Sequence, residues 1–430
     1  MKNKRLFGLI LALLCPIFML GQNMSIVGKT NVPNALVRLF TYDEMLTCTQ
    51  TKVAETQTDK EGKFTLQAEI YEITPAQIAI NLERVDVILS PNGTYDFEII
   101  IPEKKENSFF EREQPVLKIN SIDDSGFYSQ YLATQAYIDD FLYDNFNSIY
   151  RGRKTSLLDT LDNQIVRNFG KINNVYTKNA INYRKAAVLM TINKKKIISE
   201  FFDKQEVLYL QPEFMDVFQE LFKTDINDPD FLSRNPQLAE LITLNNIRKA
   251  FFSNAIDKKA ALKALEDIKK SSKYQKNKLV ATNIIKLLDD LTYDSKAPQF
   301  SLEDKDGKVV QLSDYQDDMV LLQFVDKISP LSEHEFSVLN DLKKQWNDTI
   351  QVVTIATKET FDDYVQLFDK QGFRWQLLNL GDNFLLLEDY HIVTYPAYVI
   401  LKRKNKVGMA PAPSPDHNLE IHVRRIGRYL

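Results

Sequence analysis

Residues Met319 to Phe324, MVLLQF, form an apolar run followed by a short polar loop and then by Ser329-Pro330-Leu331-Ser332-Glu333-His334-Glu335. A run of that length bounded by loop signals reads as a buried strand, and serine before proline reads as a helix start. The result is a strand-to-helix turn whose exposed tip is Ser329 to Ser332, and the last third of the chain has to be arranged around it. Further along, Thr394-Tyr395-Pro396 precedes a second strand-like run, Ala397 to Lys402. Two purely structural accounts of the serines are available. Ser329 before Pro330 fits an N-cap followed by proline at the first helical position, and Ser332-Glu-His-Glu335 fits a capping box.

The chain has 430 residues, which at about 100 to 200 residues per domain corresponds to two to four domains. Hydrophobic residues make up 44% and charged residues 26%, with only 13 glycines, a composition that excludes disordered and fibrous classes. The formal charge is -4 and the 54 Lys and Arg form no basic stripe, so nucleic acid is not an expected partner. Residues 1 to 21 carry Lys2, Lys4 and Arg5, an apolar core from Leu6 to Leu20, and Gly21 before Gln22. This is the pattern of an export signal, shorter than the ~20 residues a spanning helix needs. Lipidation at Cys15 is the lesser alternative, because Leu14 stands where a small residue is normally required. No other apolar run is long enough to cross a membrane, so no transmembrane segment is expected after signal removal.

The two cysteines are Cys15 and Cys48. Removal of residues 1 to 21 leaves Cys48 alone, and a single thiol closes no internal disulfide. The alternation around it, TCTQTKVAETQT, predicts a strand, with Cys48 as a small packed or edge residue whose threonine neighbours supply no activating charge.

Residues 22 to 105 predict a small β-sandwich. Alternating segments 35–40, 63–67, 77–81 and 95–99 are separated by turn signals, Asp59-Lys60-Glu61-Gly62 and Pro91-Asn92-Gly93 among them. Asn92-Gly93-Thr94 matches a glycosylation acceptor, but Asn-Gly is first a hairpin turn. Thr58 to Phe64, TDKEGKF, resembles the turn-and-strand signature of carboxypeptidase-regulatory-like, prealbumin-type domains, which implies a spacer or adaptor.

From 106 to 291 the period becomes helical. Phe214, Val217, Phe218, Leu221 and Phe222 share one face, as do Val280, Ile284, Leu287, Leu288 and Leu291. Pro212, Pro229 and Pro236 fall at the expected helix boundaries. The aromatics from Phe127 to Tyr150 are either core or the lining of a groove for a peptide or glycan. Lys194 to Lys196 reads as a solvated face, and no fixed-period repeat occurs.

A polar linker, Asp289 to Lys296, leads into residues 292 to 430. Here Ala297-Pro-Gln-Phe-Ser-Leu302, Asp306-Gly-Lys308 and Leu312-Ser-Asp-Tyr315 precede the Met319 run, and a helix with Phe336, Leu339, Leu342 and Trp346 on one face follows the turn. Ile350 to Ala356 predicts a strand, Phe361 to Phe368 a helix, and residues from about Asn418 a closing helix. In wording and order this resembles the thioredoxin-like family, in its TlpA-like and AhpC/TSA redoxin branches. The resemblance implies a redox turn at Ser329, Pro330, Leu331 and Ser332, with serines where that family carries Cys-Pro-x-Cys. It also implies a cis-proline at Pro396 facing the turn, with Tyr395 placed to pair its backbone with an extended segment.

These readings give an exported, multidomain α+β and α/β protein: β-sandwich, all-α region, and thioredoxin-like domain. The expected function is non-catalytic, the binding of an envelope protein or an extended peptide segment, with no cofactor and no metal. A thiol-disulfide oxidoreductase or peroxidase is the alternative that the resemblance implies. A serine hydrolase built from Ser329 or Ser332, His334 and Asp326 is the remaining one, and neighbouring positions on a single helical turn point His334 away from Ser332. The four histidines, His334, His391, His417 and His422, show no ligand spacing, and no glycine-rich phosphate loop is present.

Overall fold

The computed structural model describes residues 23–102, 114–191, 197–203, 205–222, 233–253, 255–346 and 349–427. The expected signal over 1–21, Cys15, Lys194 to Lys196 and Pro229 lie outside them, as does the side chain of Leu331. The chain divides after Ile284 into two compact units.

The first unit opens with two four-stranded sheets. One has the order β4 (Lys63–Ala68), β1 (Met24–Thr30), β7 (Thr94–Ile100), β8 (Val116–Asp123), with β1 and β7 parallel. The other has the order β3 (Gln50–Gln57), β2 (Leu36–Tyr42), β5 (Thr74–Ile80), β6 (Glu83–Leu89), antiparallel throughout. Period-two alternation turns Ile26, Val37, Leu39, Ile78, Tyr95 and Phe97 into one shared core, all of them fully buried. The last strand comes from beyond residue 105, and its Leu117 and Ile122 pack against that core.

The TDKEGKF stretch has a local account. The Asp59 carboxylate accepts the backbone N–H of Glu61 and of Lys63, at 2.9 and 2.8 Å, an Asx-type turn. Gly62 closes it with φ 78°, and a Cβ there would sit 1.9 Å from the Thr30 carbonyl oxygen. Cys48 lies outside β3, contrary to the strand expected around it. It occupies the loop between β2 and β3 with φ 54° and is exposed. The loop is held from inside by Glu44, fully buried, which accepts the backbone N–H groups of Leu46 and Thr47 and the Asn283 amide.

The helices of this unit are α1 (Phe127–Asp144), α2 (Ser156–Phe169), α3 (Val175–Met190), α4 (Pro212–Leu221), α5 (Pro236–Phe252), α6 (Lys258–Ser271) and α7 (Gln275–Asp289), the last continuing into the second unit. Asn174, Asn235 and Asp257 cap α3, α5 and α6 through their side chains. Pro212 and Pro236 stand in the first turns of α4 and α5. Most of the aromatic run from Phe127 is core rather than groove. Phe127, Tyr128 and Tyr131 join the sandwich cluster, and Phe141 joins the helical one.

The second unit is a seven-stranded mixed sheet, order β10 (Val309–Gln311), β9 (Ser301–Asp304), β13 (Gln376–Asn379), β12 (Ile350–Ala356), β11 (Met319–Val325), β14 (Ala397–Lys402), β15 (Lys406–Ala412). Helices α8 (Pro330–Trp346), α9 (Phe361–Gln371), the short α10 (Leu385–Asp389) and α11 (Leu419–Gly427) accompany it. All seven residues of β11 are buried because it is a central strand covered on both faces. The expected linker is in part a strand partner. Asp294, Ser295 and Ala297 exchange backbone hydrogen bonds with Val407 and Asn405 at 2.8 to 2.9 Å, along the edge of β15.

Candidate functional site

The central strand β11 runs parallel to β12 and antiparallel to β14. Pairing of Phe324 with Ala397 places Pro396 level with the end of β11, where the serine-bearing loop departs. The Tyr395–Pro396 peptide bond is cis. Tyr395 and Pro396 are half-buried, Thr394 and Pro330 are exposed, and Val393 is 75% exposed. The departing loop is fixed by Asp326, whose carboxylate accepts the Thr357 hydroxyl at 2.8 Å, while the Thr357 N–H donates to the Val325 carbonyl at 3.1 Å.

Helix α8 begins at Pro330, so Ser329 is its N-cap and Ser332 its third residue. The two serines interlock. The Ser332 N–H donates to Ser329 Oγ at 3.1 Å, the Ser329 N–H donates to Ser332 Oγ at 2.7 Å, and Ser332 Oγ–H donates to the Ser329 carbonyl at 2.8 Å. This is a reciprocal capping box in which Ser332 takes the place usually held by Glu or Gln. The box expected between Ser332 and Glu335 does not form, because proline at the first helical position sets the start one turn earlier. Ser332 is buried, Ser329 half-buried, and the Tyr364 hydroxyl is buried beside Ser332 without a well-formed bond to it.

Beneath this turn runs a chain of hydrogen bonds that crosses the sheet. Trp375 Nε1–H donates to Thr354 Oγ1 at 3.0 Å, and Thr354 donates to Gln323 Oε1 at 2.8 Å. Gln323 Nε2–H donates to the Tyr398 hydroxyl at 3.2 Å, which donates to Glu335 Oε2 at 2.8 Å. Gln323 and Thr354 are fully buried and Glu335 is 4% exposed. Burial pushes the Glu335 carboxyl above its ordinary range; Asp416 adds to this, and the Tyr398 bond, His417 and His334 oppose it. Every donor points toward Glu335, so the chain ends on an acceptor one helical turn below Ser332.

His334 is exposed and bonds to neither serine among the described residues. A Ser-His-Asp group does occur nearby, at Ser414, Asp416 and His417. Ser414 Oγ and Asp416 Oδ1 both contact the same ring nitrogen, His417 Nδ1, at 2.9 Å. A relay needs its two partners on opposite ring nitrogens, so this group is a loop-stabilising cluster ahead of α11. Among the described residues no group of three or more His, Cys, Asp or Glu is placed to hold a metal ion. Cys48 belongs to the first unit, with its sulfur 3.5 Å from the Met45 carbonyl. Although the residue is exposed, partial burial of its sulfur and the nearby Glu44 push the thiol above the ordinary range, with Arg248 opposing.

The Gln323–Tyr398–Glu335 chain and the Asp326–Thr357 contact are absent from the expectations. The signal for the first was present as a lone amide inside an apolar strand run, a residue that must find partners when buried.

Residues 293–410 match the AhpC/TSA family. No curated protein matches the chain. Among solved structures, the chain is similar to a thiol:disulfide interchange protein from Bacteroides sp., at 19% identity over 32% of this chain and 92% of that one, with a TM-score of 0.29. It is similar to the thioredoxin domain of a thiol-disulfide oxidoreductase from Bacteroides vulgatus, at 20% identity over 31% and 96%, TM-score 0.28. It is also similar to a thioredoxin-family thiol:disulfide interchange protein from Chlorobium tepidum TLS, at 17% identity over 32% and 99%, TM-score 0.28. The C-terminal unit has a thioredoxin-like fold, preceded by N-terminal β-sheets and a helical region.

Proposed function

We propose that this chain is an exported, non-catalytic binding or scaffold protein of the cell envelope, in which a thioredoxin-like domain carries serines at the positions of the redox thiols. The observation that supports this reading is the interlock of Ser329 and Ser332, whose hydroxyls serve to start a helix. Thiol-disulfide exchange needs a thiolate. A helix terminus stabilises a negative charge by about 1 to 2 kcal/mol at most, on the order of one pKa unit, far too little to ionise an alcohol. Serine also forms no disulfide. The surface kept beside the turn, Thr394-Tyr395-Pro396 with exposed Val393, suits an extended partner segment that adds as a strand. The leader-like residues 1 to 21 support export, and among the described residues no helix is long and apolar enough to cross a membrane.

Purified mature protein should reduce neither insulin nor peroxide above background, and Cys48→Ser should leave that unchanged. Extended peptides should bind with an affinity that falls when Tyr395 is replaced by proline, which removes its backbone donor. Turnover that vanishes with Cys48→Ser would overturn the proposal. The second reading, a thiol-disulfide oxidoreductase or peroxidase, is favoured by the AhpC/TSA match over 293–410. It requires a cysteine supplied by a partner, and mixed disulfides trapped on Cys48 by acid quench and alkylation would mark it.

A further inference from the structure

Helix α10 ends in a Schellman corner. The Ile392 N–H donates to the Leu387 carbonyl at 2.7 Å and the His391 N–H to the Glu388 carbonyl at 3.0 Å, with Tyr390 as the C-cap. His391 therefore stands just after the cap, where glycine is usual, and takes the left-handed backbone of that position, with φ 54°. A non-glycine residue keeps such a conformation where its surroundings hold it. Here the side chain reaches out of the corner: His391 Nε2 lies 3.2 Å from Asp290 Oδ2, in the segment that follows α7. The residue before the corner is fixed. Tyr390 is buried, its ring centroid lies 5.4 Å from that of Phe324, and its hydroxyl donates to the Pro298 carbonyl at 2.7 Å. The residues after it are open, Val393 and Thr394 being exposed, and they lead directly to Tyr395 and Pro396.

The contact is an ion pair only while the imidazole carries its second proton. Both side chains are partly open to water, His391 60% and Asp290 43% exposed, so the proton exchanges with bulk solvent. The charged groups facing the imidazole are Asp290 and, from α10 itself, Asp389. The bond to Asp290 raises its proton affinity above the ordinary value, burial opposes this, and Asp389 adds to it. A raised imidazole contributes its stability below the ordinary ~6.5 and loses it as pH rises through the higher folded value.

We propose that His391 and Asp290 form a proton-operated latch on the Thr394-Tyr395-Pro396 surface. With the imidazole protonated, the pair holds the corner of α10 and fixes the loop that presents Tyr395 to an extended segment. Loss of the proton removes the attraction and leaves a non-glycine residue in the left-handed position without its tether, so the corner opens more often. The latch regulates the surface named above and in that respect rests on the binding reading; its own test does not.

The test uses the full chain and hydrogen exchange over residues 385–396, corrected for intrinsic rates, at about pH 6 and about pH 8.5, either side of the imidazole range. Wild type should be about two- to fivefold better protected at the lower pH, the size of an exposed ion pair. Asp290→Asn should erase that difference by lowering protection at the lower pH alone. His391→Gly should erase it too, yet keep or raise protection at the higher pH, because glycine suits the left-handed position. The latch is overturned if wild-type protection is flat with pH, if Asp290→Asn keeps the wild-type pH dependence, or if His391→Gly loses protection at both values. A labelled, unfolded carboxymethylated casein then serves as the extended-chain probe. It should bind wild type about two- to fivefold more tightly at the lower pH and bind Asp290→Asn equally at both. Latched exchange with no probe binding would support the latch and discard the binding reading, whereas probe binding whose pH dependence survives Asp290→Asn would overturn the latch as its regulator.

Discussion

Ser329 and Ser332 satisfy each other: each backbone N–H donates to the other's hydroxyl oxygen, at 2.7 and 3.1 Å. Removing either hydroxyl leaves an N–H at the start of α8 without its acceptor. Ser329→Ala and Ser332→Ala should each lower stability by about 1 kcal/mol, the usual cost of a lost cap, read from urea unfolding. The double variant should lose less than the two together, since both changes break one reciprocal unit. A pair of additive or silent substitutions would argue that the serines are present for some purpose other than starting the helix.

The same pair tests the placement of the turn. N-cap and third helical position lie within the ~4.4 to 6.8 Å Cα separation that a disulfide tolerates. Serine and cysteine are close in size, so Ser329→Cys with Ser332→Cys should fold and oxidise internally. The N-cap thiol should titrate below the ~8.5 of a free cysteine, because the helix start favours its anion. Mass spectrometry after mild oxidation checks the link. Two free thiols, or linkage only between molecules, would place the redox-type turn elsewhere.

What the sequence made legible in this unit was local. Burial of Met319 to Val325, the helix face of Phe336, Leu339 and Trp346, and the strand at Ala397 to Lys402 all follow from periodicity over a few residues. The interlock was half legible, since Ser-Pro announced the N-cap but Ser332 was an ambiguous second candidate. Gln323 reads as part of an apolar strand because its partners, Thr354 and Tyr398, lie on neighbouring strands 31 and 75 residues away. The partners of the linker's last residues are hidden for the same reason. Its polar composition says nothing of Asn405 and Val407, which lie across from it on the sheet edge. Alternation predicts a strand around Cys48, and the left-handed backbone that takes it out of β3 has no signature in a non-glycine residue.

Glu335 gives a pH prediction. Its folded-state carboxyl titrates above the ordinary ~4.3 because of burial. A raised carboxyl contributes its full stability below the ordinary value and loses it as pH rises through the folded value. Glu335→Gln keeps an acceptor for the Tyr398 hydroxyl and removes the desolvated charge. The variant should therefore gain on wild type as pH rises from about 4 toward neutrality, seen as a growing difference in urea midpoint. A difference that is flat with pH would mean that Glu335 is solvated like a surface carboxylate.

Asp294 has the opposite sign. Its carboxylate is held by Lys402 at 2.6 Å and Lys406 at 2.7 Å, which lower its pKa to about 2. The Lys402 ammonium is fixed from the other side by the Tyr293 ring, 4.1 Å from its centroid. The pair of bonds pins Asp294 at the point where the segment joins β15, through its N–H to the Val407 carbonyl at 2.8 Å. A depressed carboxyl contributes stability above the ordinary ~3.9 and loses it as pH falls toward the folded value. Wild type should thus exceed Asp294→Asn in melting temperature at pH 6, and the two should converge between about pH 4 and pH 2. With the Asp294 side chain 48% exposed, the gap should also shrink as salt is raised. Hydrogen exchange at the Asp294, Ala297 and Val407 amides gives the local readout. If the substitution leaves those amides as protected as in wild type at pH 6, the two lysine contacts are not what holds this segment on the sheet.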